Sequence, residues 1–412
     1  MPMEIEGTCT PEFIRVREQF ARNFAERGEV GASVCITVDG ETVVDLWGGV
    51  ADPTSGRPWT ADTIGHIWSG TKGATALCAH ILASRGLLDL NAPVAAYWPE
   101  FAKNGKDAIL VRHLLAHQAG LPAVREPLPE GAFYDWALMT DALAREEPFW
   151  RPGTRSGYHA LTFGYLVGEV VRRVSGRSLG TFFREEVAQP LGIEFWLGLP
   201  EEHEHRVAPT IPAPPPGPGD PVPSFYVAAL TDPTSVQALS IGNSGGYMLV
   251  PGESDTRAAH AAEMGAVGGI TNARGLAGMY RALALGGGPL VSPDQLALMA
   301  GVSSATSVDA VMLIPTRFSL GFVKASDNRH LPVADRDSLL LSEDAFGHVG
   351  MGGSLGFADP RARLSFAYTM NAQRFGVAVD ERCQSLIDEV YRAVGYRRTG
   401  DGGAWYLLPS TS

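Results

Sequence analysis

Strand-like runs stand at both ends of this 412-residue chain, and helical runs fill its middle. That order constrains the fold more than any single motif does. Near the start, ASVCITV and ETVVDLWGG flank Asp39-Gly40, which predicts a β-hairpin with a two-residue turn. Near the end, TRFSLGFVKA, AFGHVG, GSLGFADP and ARLSFAYTMN read as short strands with turn residues between them. The middle carries RHLLAHQ, YDWALMTDALARE, LTFGYLVGEVVRRVSG and SLGTFFREEVAQPLG, all helical in pattern. Phe13, Val16, Phe20 and Phe24 predict an amphipathic helix over 11–27, and residues 377–395 predict another. TNARGLAGMYRALALGG predicts a helix with Thr271 as its N-cap. The simplest packing joins the end strands in one antiparallel sheet and inserts the helical middle as a second lobe. The expected class is α/β (α+β), with residues 1–68 and 240–412 in one lobe and 69–239 in the other. A functional site belongs in the cleft between them.

Hydrophobic residues make up 45% and charged residues 19%, so a large core forms and wholesale disorder is excluded. The net charge of −12 and the lack of a basic patch exclude nucleic-acid and anionic-membrane partners. Four cysteines without CxxC spacing read as reduced thiols, and the N-terminus has no apolar signal-peptide core. No stretch is long enough to span a membrane. A cytoplasmic protein is expected, acting on a small molecule without a cofactor or metal; the oligomeric state stays open. Residues 208–224 hold eight prolines and read as a surface connector in preference to a partner-binding polyproline segment. With the loop after Leu121, this segment is also expected to wall part of the substrate pocket.

Ser69-Gly70-Thr71-Lys72 opens a predicted helix after the apolar approach from Ile64 to Trp68. Residues i and i+3 share a helical face, so the Ser69 hydroxyl and the Lys72 amine can meet. A serine is a poor nucleophile until a base takes its proton. A lysine serves as that base once burial brings its pKa from ~10.4 towards neutrality. Tyr158, on a loop before a helix, offers a phenol that can relay a proton. Phe346-Gly347-His348-Val349-Gly350-Met351 is a strand ending in glycine, which lets a substrate approach the backbone.

Four other patterns are weaker. Ser244 and Ser354 sit in G-x-S-x-G, but neither is followed by the helix a nucleophile elbow needs. His113/His117 lack the glutamate of HExxH, and His203/His205 lie in a polar run. These four histidines read as core or surface residues.

Together these residues resemble the serine β-lactamase and penicillin-binding-protein superfamily, and more narrowly its family VIII carboxylesterases with the class C β-lactamase fold. The family order, Ser-x-x-Lys, a tyrosine motif, then Lys-Thr-Gly or a substitute, is met by Ser69/Lys72, Tyr158-His159-Ala160 and His348-Val349-Gly350. LLAHQAGLP (114–122) and GGITNARGLAGMY (268–280) extend the resemblance over nearly the whole chain. The resemblance implies a β-lactamase/DD-peptidase-like fold and an acyl-enzyme on Ser69. Lys72 would accept its proton and Tyr158 would act as second acid/base. The backbone N–H groups of Ser69 and Met351 would form the oxyanion hole, and His348 and Gly350 would contact substrate. Ala160 stands where β-lactamases usually have asparagine, and His348 where they carry lysine. Both departures suit uncharged esters. The expectation is therefore a carboxylesterase for short-chain esters. The same Ser-Lys-Tyr chemistry also serves a β-lactamase, a D-amino-acid peptidase or an acyltransferase. A non-catalytic binding module on this fold would have no need of an activated nucleophile.

Overall fold

The computed structural model describes residues 4–376, 378–400 and 402–407. Its central sheet is antiparallel and built from both ends of the chain. The strands are β1 (Ile5–Cys9), β2 (Gly31–Val38), β3 (Glu41–Asp52), β4 (Phe346–Val349), β5 (Leu355–Asp359) and β6 (Leu364–Met370). Their order across the sheet is β1-β3-β2-β6-β5-β4, and Arg57–Pro58 adds a short pairing on β3. The β2–β3 turn is the predicted one: Asp39 and Gly40 have φ of 52° and 88°, the left-handed pair that matches strand twist. β2 and β6 run from Val38↔Leu364 to Ala32↔Met370, so the first and last thirds of the sequence meet at the sheet centre.

Helices cover both faces. The labels used below are α1 (Ile14–Glu26), α2 (Thr71–Ser84), α3 (Thr162–Ser175), α4 (Ser224–Thr231), α5 (Val236–Gly242), α6 (Ala273–Ala284) and α7 (Glu381–Ala393). α1 and α7 pack Val16, Phe20, Leu386 and Ile387 against Val34, Ile36, Phe357 and Phe366. α6 places Leu276 and Tyr280 on the opposite face, in one core with Cys35, Phe346 and Ala367. That core continues into the helical part of the chain, where α2 packs against α3. β2 is buried on both faces, which is why ASVCITV shows no apolar–polar alternation. No helix among the described residues is long and apolar enough to cross a membrane.

Three boundaries differ from expectation. Asn272, not Thr271, caps α6: its side chain accepts from Gly275 N, while Thr271 ends a short strand and donates to Glu194 O. The last helix begins at Glu381, because Asp380 accepts from the N–H groups of Arg382 and Cys383; Val377 of the expected span lies outside the described residues. Ser69 sits in a tight turn, Trp68–Gly70, that runs straight into α2. The proline-rich segment is irregular from Pro209 to Pro223 and is stitched to the end of β6 through Ile211, which bonds Asn371 O and Gln373 N.

Candidate active site

The turn carrying Ser69 is held from three sides. Ile67 N donates to Gly269 O at 3.0 Å, Gly269 N donates to Thr71 Oγ1 at 2.8 Å, and Ser354 Oγ donates to Ile67 O at 3.2 Å. Trp68 adopts φ of 49°, a costly conformation for a bulky residue, and stacks on His66 at 4.3 Å. Such strain survives only where the surroundings over-determine it. Here it turns Ser69 towards a cavity of about 160 Å³.

Lys72 Nζ lies 3.1 Å from Ser69 Oγ, 2.7 Å from Ala160 O and 3.0 Å from Ala266 O. The side chain is fully buried, and burial pushes its pKa well below the ordinary lysine value, with no acidic partner among the described residues to offset it. A neutral amine has two N–H bonds and one lone pair. The two carbonyls take the N–H bonds, which leaves the lone pair for the serine proton.

Tyr158 lines the same cavity, with Lys72 Nζ 4.9 Å from its ring centroid. Burial raises its pKa, the Ser69 hydroxyl lowers it, and the charge of Asp309 raises it again. The phenol is therefore protonated at neutral pH. Its ring rests against His117 at 4.9 Å and Phe318 at 6.0 Å. His117 is held in turn by accepting from His159 N at Nδ1, while His159 Nε2 accepts from Leu121 N. His113 Nδ1 accepts from Leu110 N, so the His113/His117 pair is occupied by backbone.

Met351 lines the cavity beside Ser69 and Tyr158. Its N–H has no acceptor among the described residues. The loop is fixed by buried Arg382, which donates to Gly352 O at 3.0 Å and pairs with Glu29 and Asp380. His348 is buried on the cavity wall; Nδ1–H donates to Val349 O, and burial and then Lys72 push its pKa down to about 3. It stays neutral. Gly350 stands apart from the walls: its N–H goes to Ser354 O, and a Cβ there would lie 2.1 Å from Ile67 O. Close packing against the nucleophile turn, not substrate contact, explains this glycine.

Two expectations about the cavity need correction. No residue of 208–224, nor of the loop after Leu121, lines it; Phe225 and Tyr226 of α4 and the 311–318 segment do, because Ile211 anchors the proline segment to the sheet. The replacement of lysine by His348, expected to suit uncharged esters, does not leave the cavity free of cations. Arg317 and Lys324 lie on its wall, but Glu343 engages both: its carboxylate takes Arg317 in two bonds and its carbonyl accepts from Lys324 Nζ at 2.7 Å. Burial brings Lys324 down to about 8. The two G-x-S-x-G serines are buried and engaged, Ser244 Oγ accepting from Met248 N and Ser354 bonding Ile67 O. Sequence reasoning missed Ala266, which acts through a backbone carbonyl that no side-chain pattern marks, and Asp309.

An end-to-end antiparallel sheet, a helical insertion and a serine one turn ahead of a buried lysine place this chain in the beta-lactamase family, whose pattern matches residues 17–386. Its β-lactamase/DD-peptidase-like fold is the one expected. The chain is 36% identical over 377 residues to a protein named esterase/beta-lactamase LipL from Mycobacterium tuberculosis (strain ATCC 25618 / H37Rv), covering 89% of this chain and 82% of that protein. Among solved structures, a family VIII carboxylesterase superposes with a TM-score of 0.83 at 40% identity, covering 95% of this chain and 100% of that one. A penicillin-binding-protein homologue from Caulobacter crescentus gives 0.80 at 33% identity, with 95% and 100% covered.

Proposed function

We propose that the protein is a carboxylesterase, a serine hydrolase cleaving short-chain carboxylic esters through an acyl-enzyme on Ser69. The observation that carries this reading is the fully buried Lys72 amine, bonded to two carbonyls and 3.1 Å from Ser69 Oγ. Lys72 takes the serine proton as Oγ attacks the ester carbonyl. The N–H groups of Ser69 and Met351 receive the developing oxyanion. Tyr158 O–H protonates the leaving alkoxide, and the phenolate so formed is balanced by the Lys72 ammonium. In the second half, water gives a proton to Tyr158 and attacks the acyl carbonyl. Lys72 returns its proton to Ser69 Oγ as the acid leaves.

The likeness to a protein named an esterase and to a carboxylesterase structure supports ester substrates. The apolar walls and neutral His348 support uncharged ones. β-Lactam, D-amino-acid peptide or acyl-transfer chemistry remains the alternative use of the same residues. The lobes read as 1–68 with 240–412 and 69–239, and the compartment as cytoplasm, belong to this proposal; four free cysteines support the latter. Parallel assays with nitrophenyl butyrate and a cephalosporin test it. Turnover of the ester alone, lost in Ser69→Ala, is expected; cephalosporin turnover at equal efficiency would move the protein to the β-lactamase reading.

A further inference from the structure

We infer that Asp309 is a positioning residue that locks Tyr158 and one wall of the cavity into a single unit, setting both the placement of the phenol and the length of acyl chain accepted. This rests on the esterase reading above. Asp309 is wholly buried. Its Oδ1 accepts from Tyr158 N at 3.0 Å, Val311 N at 2.9 Å and Met312 N at 2.9 Å, and its Oδ2 accepts from Thr316 Oγ1 at 3.1 Å. Tyr158 lies 151 positions away in sequence. The other three partners belong to the segment whose Val311, Met312, Ile314, Thr316 and Phe318 face the cavity. One carboxylate thus joins the proton-relay loop to the surface that meets the substrate.

The way the carboxylate is held is the second part of the argument. No ion pair involves Asp309 among the described residues; three backbone N–H donors and one O–H donor hold it. Burial raises its carboxyl pKa and these four bonds lower it. Burial is also the main reason the Tyr158 phenol stays protonated, and the carboxylate only adds to it. What Asp309 supplies is geometry: one buried group fixes Tyr158 N and three donors of the cavity wall at the same time.

The test uses the full chain, wild type, Asp309→Ala and Thr316→Val, with nitrophenyl acetate, butyrate and octanoate. Asp309→Ala removes the acceptor for Tyr158 N and for the wall together; its kcat should fall on the order of tenfold to a hundredfold, with KM for acetate changed far less, as Tyr158 loses its fixed position. Its butyrate-to-octanoate ratio should change about threefold or more. Thr316→Val breaks only the wall side of the link; it should change that ratio about threefold or more with a smaller fall in kcat than Asp309→Ala. Unchanged kcat and chain-length ratios, with only a lower Tm, overturn the inference and leave Asp309 as fold support. If Asp309→Ala does not fold, an unchanged ratio in Thr316→Val overturns it alone. Fluorophosphonate labelling of each protein separates the two claims: absence of label on wild-type Ser69 overturns the esterase reading, whereas a labelled Ser69 with silent variants overturns only the role of Asp309.

Discussion

At the scale of single residues, Lys72 sets the pH behaviour. Its pKa is lowered in the folded state, so the unfolded chain binds one more proton between that value and ~10.4. Stability therefore rises with pH across this window and falls as pH drops through it, by up to about 1.4 kcal/mol per pH unit. Lys72→Met should abolish ester turnover and flatten this slope, so its Tm relative to wild type should climb from pH 9 to pH 6. Calorimetry over that range checks it; a parallel pair of curves would mean that Lys72 is charged when folded. Ser69→Ala should reduce nitrophenyl butyrate hydrolysis to background, while Ser244→Ala and Ser354→Ala keep covalent labelling, as expected of two occupied hydroxyls. His348→Lys should shift the preference towards cephalosporins by about five- to thirtyfold by adding a cation for the carboxylate that these substrates carry. The serine, lysine and tyrosine were legible in the sequence because their spacing and helix-start context carry the chemistry. The acceptors on Lys72 were not, since a backbone carbonyl at Ala160 or Ala266 leaves no mark in the side-chain pattern. Asp309 was hidden for a related reason: only the fold brings it to Tyr158.

At the scale of elements, the hairpin and the long helices follow directly from Asp39-Gly40 and from apolar spacing. Boundaries were decided by competition for backbone N–H groups, as the Asn272 cap and the Asp380 start of α7 show. The role of the proline segment was misread because proline content reports stiffness and exposure, not which neighbour a chain will touch. Phe225 and Tyr226, just beyond it, should be the selectivity elements. Phe225→Ala should change acyl-chain preference more than Tm, whereas shortening 213–220 should leave preference intact; ester-length profiles of the two variants decide. Gly350→Ala drives a methyl against Ile67 O and Ser354 Oγ, and overpacking of this kind costs about 1–3 kcal/mol. A fall in Tm together with lost labelling of Ser69 is expected, because the strand end and the nucleophile turn move as one.

At the scale of the whole molecule, that both chain ends share one sheet was legible, but the strand order β1-β3-β2-β6-β5-β4 was not, because alternation patterns do not name partners. The buried pair of Glu29 and Arg382, joined by half-buried Asp380, spans the approach to β2, the end of β6, the Met351 loop and α7. Removing one member of a buried pair leaves the other uncompensated, at about 3–5 kcal/mol. Arg382→Met should accordingly lower stability by that order in denaturant titration. The pairing of β2 with β6 has a consequence for synthesis. At roughly 5–20 residues per second, the ribosome releases β6 some tens of seconds after the first hairpin has emerged. Throughout that interval β2, a strand buried on both faces in the finished sheet, presents an open edge to every neighbouring polysome. Yield in a cell should therefore depend on holdase chaperones and on cool growth far more than the stability of the finished enzyme would suggest.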